Sequence, residues 1–472
     1  MSYRARKPVK HRFCMCVRVD MVAFLRMIVL VAVIMVICVG HGYHLISNFN
    51  IYLPHTVNSD YCMITDFSNL GNLRGVIMQY RINPKNGEKI SQLGLGCLRF
   101  PRKGGRIDQE KINELVASAI EVGINYFDTA YIYPGSEEAL GKALAFTGKR
   151  EQVNIATKLP HYLCKKFEDF DRIFYAQLER LKTDRIDYYL IHMLSNTESW
   201  ERVKSFGIEA WIDQKRGEGK IKNIGFSFHG GRGAFLELLD TYSWDFCMVQ
   251  YNYFDEHDQA GCSGVREAHK RGLPVFVMEP LRGGLLADGL PMEAKRAFKS
   301  ADKERTPAEW ALRWLYNQSE VTMALSGMSN LEQLNENVGV ASRAAPGALS
   351  QAELSVYKDA VDVLSNAVKV PCTACGYCLP CPNGVDIPVC FSFYNTTYIE
   401  NWVSGMAQYV KVSGLVTPVQ NDASRCVGCG ICEKRCPQGI EISKEMLRVK
   451  RRMWMAVMSP VMKLARKILR IK

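Results

Sequence analysis

Short runs of β-forming residues alternate with longer helical stretches between Ser91 and Ser342. Many of the short runs are apolar on both faces, which is typical of strands with helices outside and a packed core inside. This alternation predicts βα units and a parallel sheet. The predicted strands are Leu93–Leu98, Asn125–Ala130, Val153–Lys158, Ile186–His192, Ile221–Phe228, Phe246–Phe254, Pro274–Leu281 and Val321–Met328.

Eight such units in roughly 250 residues match the size of a closed (β/α)8 barrel. The rival architecture is an open doubly wound sheet, which carries a glycine fingerprint after its first strand. The segment Leu93-Gly94-Leu95-Gly96 lacks the third glycine of that fingerprint and does not open a helix. We therefore expect an α/β chain with a TIM barrel over residues 78–345.

In such a barrel, chemistry takes place at the carboxyl ends of the strands. Asp128 lies at the end of the second predicted strand and Tyr133 in the following loop, while Lys158 and His192 end the third and fourth strands. Each residue alone has an ordinary explanation, such as a turn cap or a solvated lysine. Together, at successive strand ends, they predict a catalytic group.

Three segments carry a resemblance to a known family: Phe127–Glu137 (FDTAYIYPGSE), Ile155–Lys158 (IATK) and Tyr189–His192 (YLIH). They resemble the motifs of the aldo/keto reductase family, and the resemblance runs from about Met78 to Ser342. It implies an oxidoreductase that reduces the carbonyl group of a small aldehyde or ketone with NAD(P)H.

The chemistry of the four residues agrees with that implication. Hydride addition to a carbonyl carbon leaves negative charge on the oxygen, which needs an acid nearby. Tyr133 is the candidate acid, and a neighbouring Lys158 is expected to lower its pKa. Asp128 would hold Lys158 in place and charged, and His192 would orient the carbonyl through a hydrogen bond.

The resemblance also implies a set of cofactor-binding residues. Ser227 and Gln250 stand where the family holds the nicotinamide carboxamide, although Phe228 replaces the expected asparagine and Met278 replaces a stacking aromatic. Ser329 replaces an arginine that commonly binds the 2′-phosphate, so a preference for NADPH does not follow. The candidate cofactor-binding residues are Ser227, Gln250, Pro280, Leu281, Gly283, Gly284, Ser329, Gln333 and Asn337.

Eight of the 17 cysteines form two runs near the carboxyl end. The second run, C-x2-C-x2-C-x3-C-P from Cys426 to Pro437, has the spacing of bacterial ferredoxins. Residues Pro371–Ile442 resemble dicluster ferredoxins, so we expect two [4Fe–4S] clusters. They would lie in a small α-helical, ferredoxin-like domain over residues 346–442. Its first residues belong to an Ala/Gly/Ser-rich linker at Gly339–Gln351.

In ferredoxins of this type, the fourth cysteine of a run binds the cluster of the other run. Cys381 departs from the pattern because two residues precede it where three are usual. Structural zinc bound by four thiolates is the alternative. The ligand sets expected for the two clusters are Cys372, Cys375, Cys378 and Cys436, and Cys426, Cys429, Cys432 and Cys381.

The two halves of the chain pose a problem of electron counting. A nicotinamide passes two electrons as a hydride, whereas a [4Fe–4S] cluster passes one. Direct coupling would need a flavin or another carrier, and the sequence has no dedicated flavin motif. The clusters would otherwise serve a separate redox partner protein or stabilise the domain. The alternative function is a nucleotide-sensing barrel attached to an electron-transfer module.

Residues 1–77 differ from the rest of the chain. They carry a net charge of +5 and contain the uncharged apolar run Met27–Gly40 inside a candidate transmembrane segment at 21–46. Translation from Met78 is the alternative expectation, which would give a cytoplasmic enzyme, whereas a genuine segment would anchor it to a membrane.

Residues 443–472 form a basic tail with a net charge of +9. Leu464, Ile468 and Ile471 recur at helical spacing with cations on the other face, which predicts a helix on an anionic membrane surface or one packed on the folded body. The residues between the two charged ends carry a net charge of −2, so no nucleic-acid surface is expected.

Overall fold

A two-stranded hairpin precedes the repeating units. The computed structural model describes residues 77–409 and 420–453. In it, β1 (Tyr80–Ile82) pairs antiparallel with β2 (Lys89–Ser91). Ile90 of this hairpin is fully buried and belongs to the same cluster as the inward-facing barrel side chains. The hairpin therefore covers the amino-terminal end of the barrel.

The eight predicted strands close into a parallel barrel, and the predicted TIM-barrel fold is confirmed. Each barrel strand pairs with the next one along the chain, and the last pairs with the first through Leu325 opposite Gly94. A short hairpin of β4 and β5 lies between the first two barrel strands. The strands are β3 (Leu93–Gly96), β4 (Arg102–Lys103), β5 (Arg106–Ile107), β6 (Tyr126–Asp128), β7 (Asn154–Leu159), β8 (Ile186–Leu194), β9 (Ile221–Phe228), β10 (Phe246–Gln250), β11 (Val275–Met278) and β12 (Val321–Ser326).

Helices connect the strands and form the outer layer. Their apolar residues recur three and four positions apart, as in the helix Glu168–Leu181, where Phe170, Ile173, Phe174 and Leu181 are buried. The helices are α1 (Gln109–Glu121), α2 (Ser136–Thr147), α3 (Glu168–Leu181), α4 (Thr197–Lys204), α5 (Ile208–Gly217), α6 (Arg232–Leu239), α7 (Gly261–Lys270), α8 (Met292–Ala301), α9 (Pro307–Tyr316) and α10 (Leu331–Arg343).

The interior of the barrel is filled with side chains. Tyr126, Tyr188, Phe246 and Phe276 point inward from four strands, and their ring centroids lie 5.0 to 5.6 Å apart. Edge-to-face and tilted packing of this kind excludes water from the barrel axis. A ligand can therefore bind only at an end of the barrel.

The junction between the two domains differs from the expectation. Residues 339–343 of the predicted linker lie in α10, and α11 (Gln351–Ala367) packs on the barrel instead of on the cysteine-rich part. Tyr357 of α11 contacts the rings of Phe298 and Trp310 at centroid distances of 5.6 and 5.5 Å. The apolar face of α11 packs on the barrel, so the boundary between the barrel and the cysteine-rich domain lies after this helix.

The cysteine-rich domain contains α12 (Ile387–Ile399), α13 (Trp402–Tyr409) and α14 (Ile442–Arg452). The first part of the basic tail forms α14, whose Met446 and Val449 are buried in the core of this domain. The rest of the tail, like the candidate transmembrane segment 21–46, lies outside the described residues. Across residues 77–409 and 420–453, none of the helices has the length and apolarity needed to cross a bilayer.

Helices α2 and α3 approach closely at Gly141. A Cβ at this position would overlap the backbone of Arg180 and Leu181. Gly141→Ala should therefore lower stability by about 1–3 kcal/mol, the usual cost of overpacking. Gly217 has open space around it and serves as the control. Thermal unfolding should show a lower midpoint for Gly141→Ala than for Gly217→Ala, and equal midpoints would contradict this packing.

Candidate active site

The ends of three neighbouring strands bring the predicted catalytic residues together. Asp128 ends β6, Lys158 lies near the end of β7, and His192 lies near the end of β8. The Lys158 Nζ is 2.5 Å from Asp128 Oδ1 and 2.7 Å from the carbonyl oxygen of Thr129. It also lies 5.1 Å from the centre of the Tyr133 ring. The Tyr133 and His192 ring centroids are 6.2 Å apart, so the four side chains form one cluster at the carboxyl end of the barrel.

The ion pair keeps a buried lysine charged. Lys158 is 1% exposed. Burial lowers its pKa, but the Asp128 carboxylate and Tyr133 act in the opposite direction, and the net pKa lies above the ordinary value for lysine.

Tyr133 does not have the lowered pKa that the sequence predicts. Burial raises its pKa above the ordinary value, and Lys158 opposes this only in part. Asp128 also raises the pKa of Tyr133, because its negative charge offsets much of the field of the lysine beside it. The expectation of a lowered pKa is therefore wrong, and Tyr133 holds its proton over a wide pH range.

His192 is a neutral hydrogen-bonding group. Burial lowers its pKa well below the ordinary value, and Lys158 adds to the effect. Its Nδ1 has no hydrogen-bond partner among the described residues, while Nε2 lies 3.1 Å from the hydroxyl of Tyr377. The nitrogen that faces the site is thus Nε2, which donates when it carries the single proton of the neutral ring.

A buried network of hydrogen bonds around Glu137 stabilises the backbone of β7. The Glu137 carboxylate accepts hydrogen bonds from Thr157 at 2.7 Å and Gln177 at 2.9 Å, and pairs with Arg180 at 3.0 Å. Gln177 also donates to the carbonyl oxygen of Lys158 at 3.1 Å. These contacts hold the backbone that carries the lysine.

A cavity of about 760 Å³ opens beside this cluster. Asp128 and Tyr133 line it, and eight of the nine predicted cofactor-binding residues do so as well. Ser227 is the exception, because it is buried and its hydroxyl accepts a hydrogen bond from the backbone N–H of Met193 at 2.9 Å. The eight that line the cavity are Gln250, Pro280, Leu281, Gly283, Gly284, Ser329, Gln333 and Asn337.

Gln250 is held by an arrangement that the sequence did not reveal. Its Nε2 donates to Asp255 at 2.9 Å, and the same carboxylate oxygen accepts from Asn252 and from Arg282, each at 2.9 Å. Asp255 and Arg282 are nearly inaccessible to solvent. The buried carboxylate thereby joins β10 to the loop that carries Gly283.

The far end of the cavity is polar and acidic. Ser329 donates to Gln333 through its backbone N–H and its hydroxyl, and Asn337 donates to Ser326 at 3.0 Å. Glu336 lines the same region and accepts a hydrogen bond from Thr306. This end of the cavity therefore carries the carboxylate of Glu336 and the hydroxyl of Ser329.

The cysteine-rich domain supplies part of the cavity wall. The Tyr377 hydroxyl lies 3.5 Å from that of Tyr133, and Gln438 donates to Gln250 at 2.7 Å. Gly283 has a φ of +66°, and a Cβ there would overlap the carbonyl oxygen of Thr373. Sequence analysis missed these contacts, since neither motif describes how the two domains meet. The one sign of these contacts in the sequence is that Tyr377 lies between two predicted cluster ligands, Cys375 and Cys378.

Seven of the eight predicted ligand cysteines fall into two groups in space. One small cavity is lined by Cys372, Cys375, Cys378 and Cys436, which brings together three residues of the first run and one of the second. Burial raises the pKa of Cys372, and with the contributions of the neighbouring thiols Cys375 and Cys436 the pKa reaches about 12.

The second group brings together Cys381 of the first run and Cys426 and Cys432 of the second. Burial raises the pKa of Cys432, and with smaller contributions from Cys426 and Cys381 the pKa reaches about 11. Cys429 is exposed to solvent. Among the described residues, no three His, Cys, Asp or Glu side chains are arranged to hold a single metal ion.

Comparison with family models matches both halves of the chain. Residues 92–347 match the model of the aldo/keto reductase family, and residues 371–441 match that of a 4Fe-4S dicluster domain.

Individual proteins similar to the chain align with the barrel. An L-galactose dehydrogenase from Arabidopsis thaliana is 27% identical over 316 residues, which cover 61% of this chain and 96% of that protein. The holo form of an aldo-keto reductase from Bacillus halodurans has a TM-score of 0.51 at 26% identity, covering 60% of this chain and 96% of that one. An aldo-keto reductase from Klebsiella pneumoniae, solved in complex with NADPH, has a TM-score of 0.49 at 22% identity and covers 60% of this chain and 95% of that one.

Proposed function

The chain belongs to the aldo/keto reductase family, and on that premise we propose that it reduces the carbonyl group of a small aldehyde or ketone with NAD(P)H, using Tyr133 as the acid. One observation carries the proposal. The Tyr133 hydroxyl and the His192 Nε2 both face one point in the cavity, which the Tyr377 hydroxyl marks at 3.5 and 3.1 Å from them. A carbonyl oxygen at that point would accept hydrogen bonds from both.

When bound in the cavity, a reduced nicotinamide would supply the hydride for the carbonyl carbon. As charge develops on the oxygen, Tyr133 donates its proton and the alcohol forms. His192 is neutral, so it donates a hydrogen bond from Nε2 without competing as an acid. Lys158 lies close enough to the Tyr133 ring to stabilise the phenolate that remains, and Asp128 keeps the ammonium group in place.

The cavity residues suit a dinucleotide. Gln250, at the end of β10, is a candidate for holding the carboxamide, provided that Gln438 gives up its hydrogen bond. The loop from Pro280 to Gly284 lines the middle of the cavity, and Arg99 offers a cation there. Gln333 and Asn337 line the adenosine side, where Glu336 favours the 2′-hydroxyl of NADH over a 2′-phosphate.

Two [4Fe–4S] clusters fit the cysteine groups. The set of Cys372, Cys375, Cys378 and Cys436 lies beside the barrel cavity, which Cys375 also lines. The set of Cys381, Cys426, Cys429 and Cys432 includes an exposed member. Such clusters carry single electrons, so the exposed set would exchange them with a redox partner protein.

The first prediction concerns the acid. Tyr133→Phe should reduce kcat for carbonyl reduction by roughly 10²- to 10⁴-fold, because the proton donor is lost while the ring remains. Tyr131→Phe is the matched control, since the Tyr131 ring packs 4.5 Å from the Arg180 guanidinium outside the catalytic cluster. Turnover of aldehydes and ketones is followed by NADH and NADPH absorbance. Equal rates for both variants would reject the role of Tyr133.

The second prediction is the pH dependence. Reduction requires protonated Tyr133, whose pKa burial raises above its ordinary value of 10.0. The acid form is therefore complete at neutral pH and is lost only as pH rises through that raised pKa. We expect kcat/KM to stay level from about pH 7 to about pH 9.5. A decline centred near about pH 8 would show that the acid is a different group.

The third prediction tests cofactor choice. The wild-type protein should use NADH with a lower KM than NADPH. Ser329→Arg should lower the KM for NADPH by roughly tenfold or more, because a guanidinium–phosphate contact is a strong charge-assisted bond. Ser329→Gln adds a similar length of side chain without the charge and serves as the control. A lower KM for NADPH than for NADH in the wild type would overturn this prediction.

The fourth prediction tests the cluster ligands. Anaerobically purified protein should contain about eight iron and eight sulfide per chain, and Cys436→Ala should lose about four of each. Adding Cys372→Ala should cause no further loss, whereas adding Cys426→Ala should remove the remaining iron. Cys390→Ala, at a buried cysteine outside both runs, is the control. Two zinc ions per chain would reject the iron–sulfur assignment.

A further inference from the structure

Tyr377 reaches from the cysteine-rich domain into the barrel site. It lies in the segment Cys375-Gly376-Tyr377-Cys378, between two cysteines that line one cavity. Its hydroxyl is 3.1 Å from His192 Nε2 and 3.5 Å from the Tyr133 hydroxyl. Its ring packs edge-on against His192 at a centroid distance of 5.8 Å. A phenol oxygen thus occupies the point where the two polar groups of the barrel converge.

We propose that Tyr377 is an internal occupant of the carbonyl-oxygen position, which a substrate must displace before reduction. This inference rests on the proposed function, since it takes that point to be the place of the substrate oxygen. A carbonyl oxygen and the Tyr377 hydroxyl cannot occupy one point at the same time. The arrangement is a closed state of the site, and an open state must precede catalysis.

Several contacts hold the segment of Tyr377 on the barrel. The Arg99 guanidinium lies 3.4 Å from the carbonyl oxygen of Thr373, and Gly283 lacks the Cβ that would collide with that same carbonyl. Gln438, which follows the ligand Cys436, donates to Gln250 at 2.7 Å. The two segments that carry the first set of cysteines are therefore both docked at the barrel mouth.

The position of Tyr377 makes the closed state depend on the iron–sulfur domain. One cluster held by Cys375 and Cys378 would fix the chain on both sides of the tyrosine. Displacement of Tyr377 must then strain or reorient the segment between two cluster ligands. By linkage, a ligand that displaces the tyrosine also changes the surroundings of the cluster.

The closed state has a specific kinetic signature. If only a fraction of the molecules is open, the apparent affinity for the carbonyl compound equals the affinity of the open state multiplied by that fraction. The chemistry in the open state is unaffected, because Tyr377 has left the site. The occupant therefore raises KM and leaves kcat unchanged, whereas a residue that assists the reaction would change kcat.

The experiment compares Tyr377→Phe and Tyr377→Ala with the wild-type holoprotein. Tyr377→Phe keeps the ring but loses both hydrogen bonds, so KM for a given aldehyde should fall by about tenfold. Tyr377→Ala also empties the space and should lower KM further, with kcat unchanged in both variants. Tyr175→Ala is the control, since Tyr175 is 42% exposed on α3 and its hydroxyl accepts hydrogen bonds from Lys215 and Lys220. Iron content and the visible absorption of the clusters establish that the domain is intact.

A second measurement does not require turnover. The cavity left in Tyr377→Ala should bind p-cresol, the analogue of the missing side chain, detected by line broadening of its ring protons in NMR spectra. The wild type should not bind p-cresol, and adding His192→Ala to Tyr377→Ala should weaken its binding. In the wild type, saturation with the aldehyde should shift the electron paramagnetic resonance signal of the reduced cluster. That shift should be absent in Tyr377→Ala.

The outcomes separate this inference from the proposed function. If no variant reduces a carbonyl compound but Tyr377→Ala binds p-cresol through His192, the occupant is real and the proposed reaction is wrong. If carbonyl reduction proceeds with the same KM in wild type and Tyr377→Ala, the reaction stands and the occupant is rejected. A lower kcat at unchanged KM in Tyr377→Phe also rejects it, because Tyr377 would then assist the reaction.

Discussion

The buried ion pair of Lys158 and Asp128 is the interaction on which the site depends. Both side chains are almost fully buried and 2.5 Å apart, and a charge in such a place is tolerated only when it is paired and hydrogen-bonded. The pairing of β6 with β7 sets this distance, because Asp128 lies opposite Ala156, two residues before the lysine. The ion pair holds the Lys158 ammonium 5.1 Å from the centre of the Tyr133 ring. The Asp128 carboxylate offsets part of the effect of that positive charge on the pKa of Tyr133.

The cysteine-rich domain changes which groups line the cavity at the carboxyl end of the barrel. Barrel sites of this kind are formed by the loops that follow the strands, but here Thr373, Cys375, Tyr377 and Gln438 complete the wall of the cavity. The same contacts that dock the domain, to His192 and Gln250, occupy hydrogen-bonding groups that a substrate and a cofactor would use. On the proposed function, docking of the domain and binding of ligands would compete for the same atoms.

The positions of the two cysteine sets relative to the barrel also bear on how a two-electron carrier and one-electron carriers could be connected. The set that includes Cys375 borders the barrel cavity, whereas the other set includes the exposed Cys429. A partner protein that approaches Cys429 would meet the outer set first and the inner set next. If the barrel transfers hydride and the cysteine-rich domain carries single electrons, as proposed, the two kinds of chemistry would meet at Tyr377, which contacts both His192 and Tyr133.

The sequence by itself determined the barrel, since eight apolar runs separated by helical stretches have few other ways to bury their surfaces. It also determined the four catalytic candidates, because residues at successive strand ends must converge when a parallel barrel closes. The resemblance to dicluster ferredoxins likewise predicted two cysteine sets, and the structure places Cys372, Cys375, Cys378 and Cys436 around one cavity. Only the tertiary structure decided that α11 belongs with the barrel, that burial outweighs Lys158 in setting the pKa of Tyr133, and that Tyr377 enters the site. Each of these depends on desolvation or on contacts between distant segments, which no local pattern encodes.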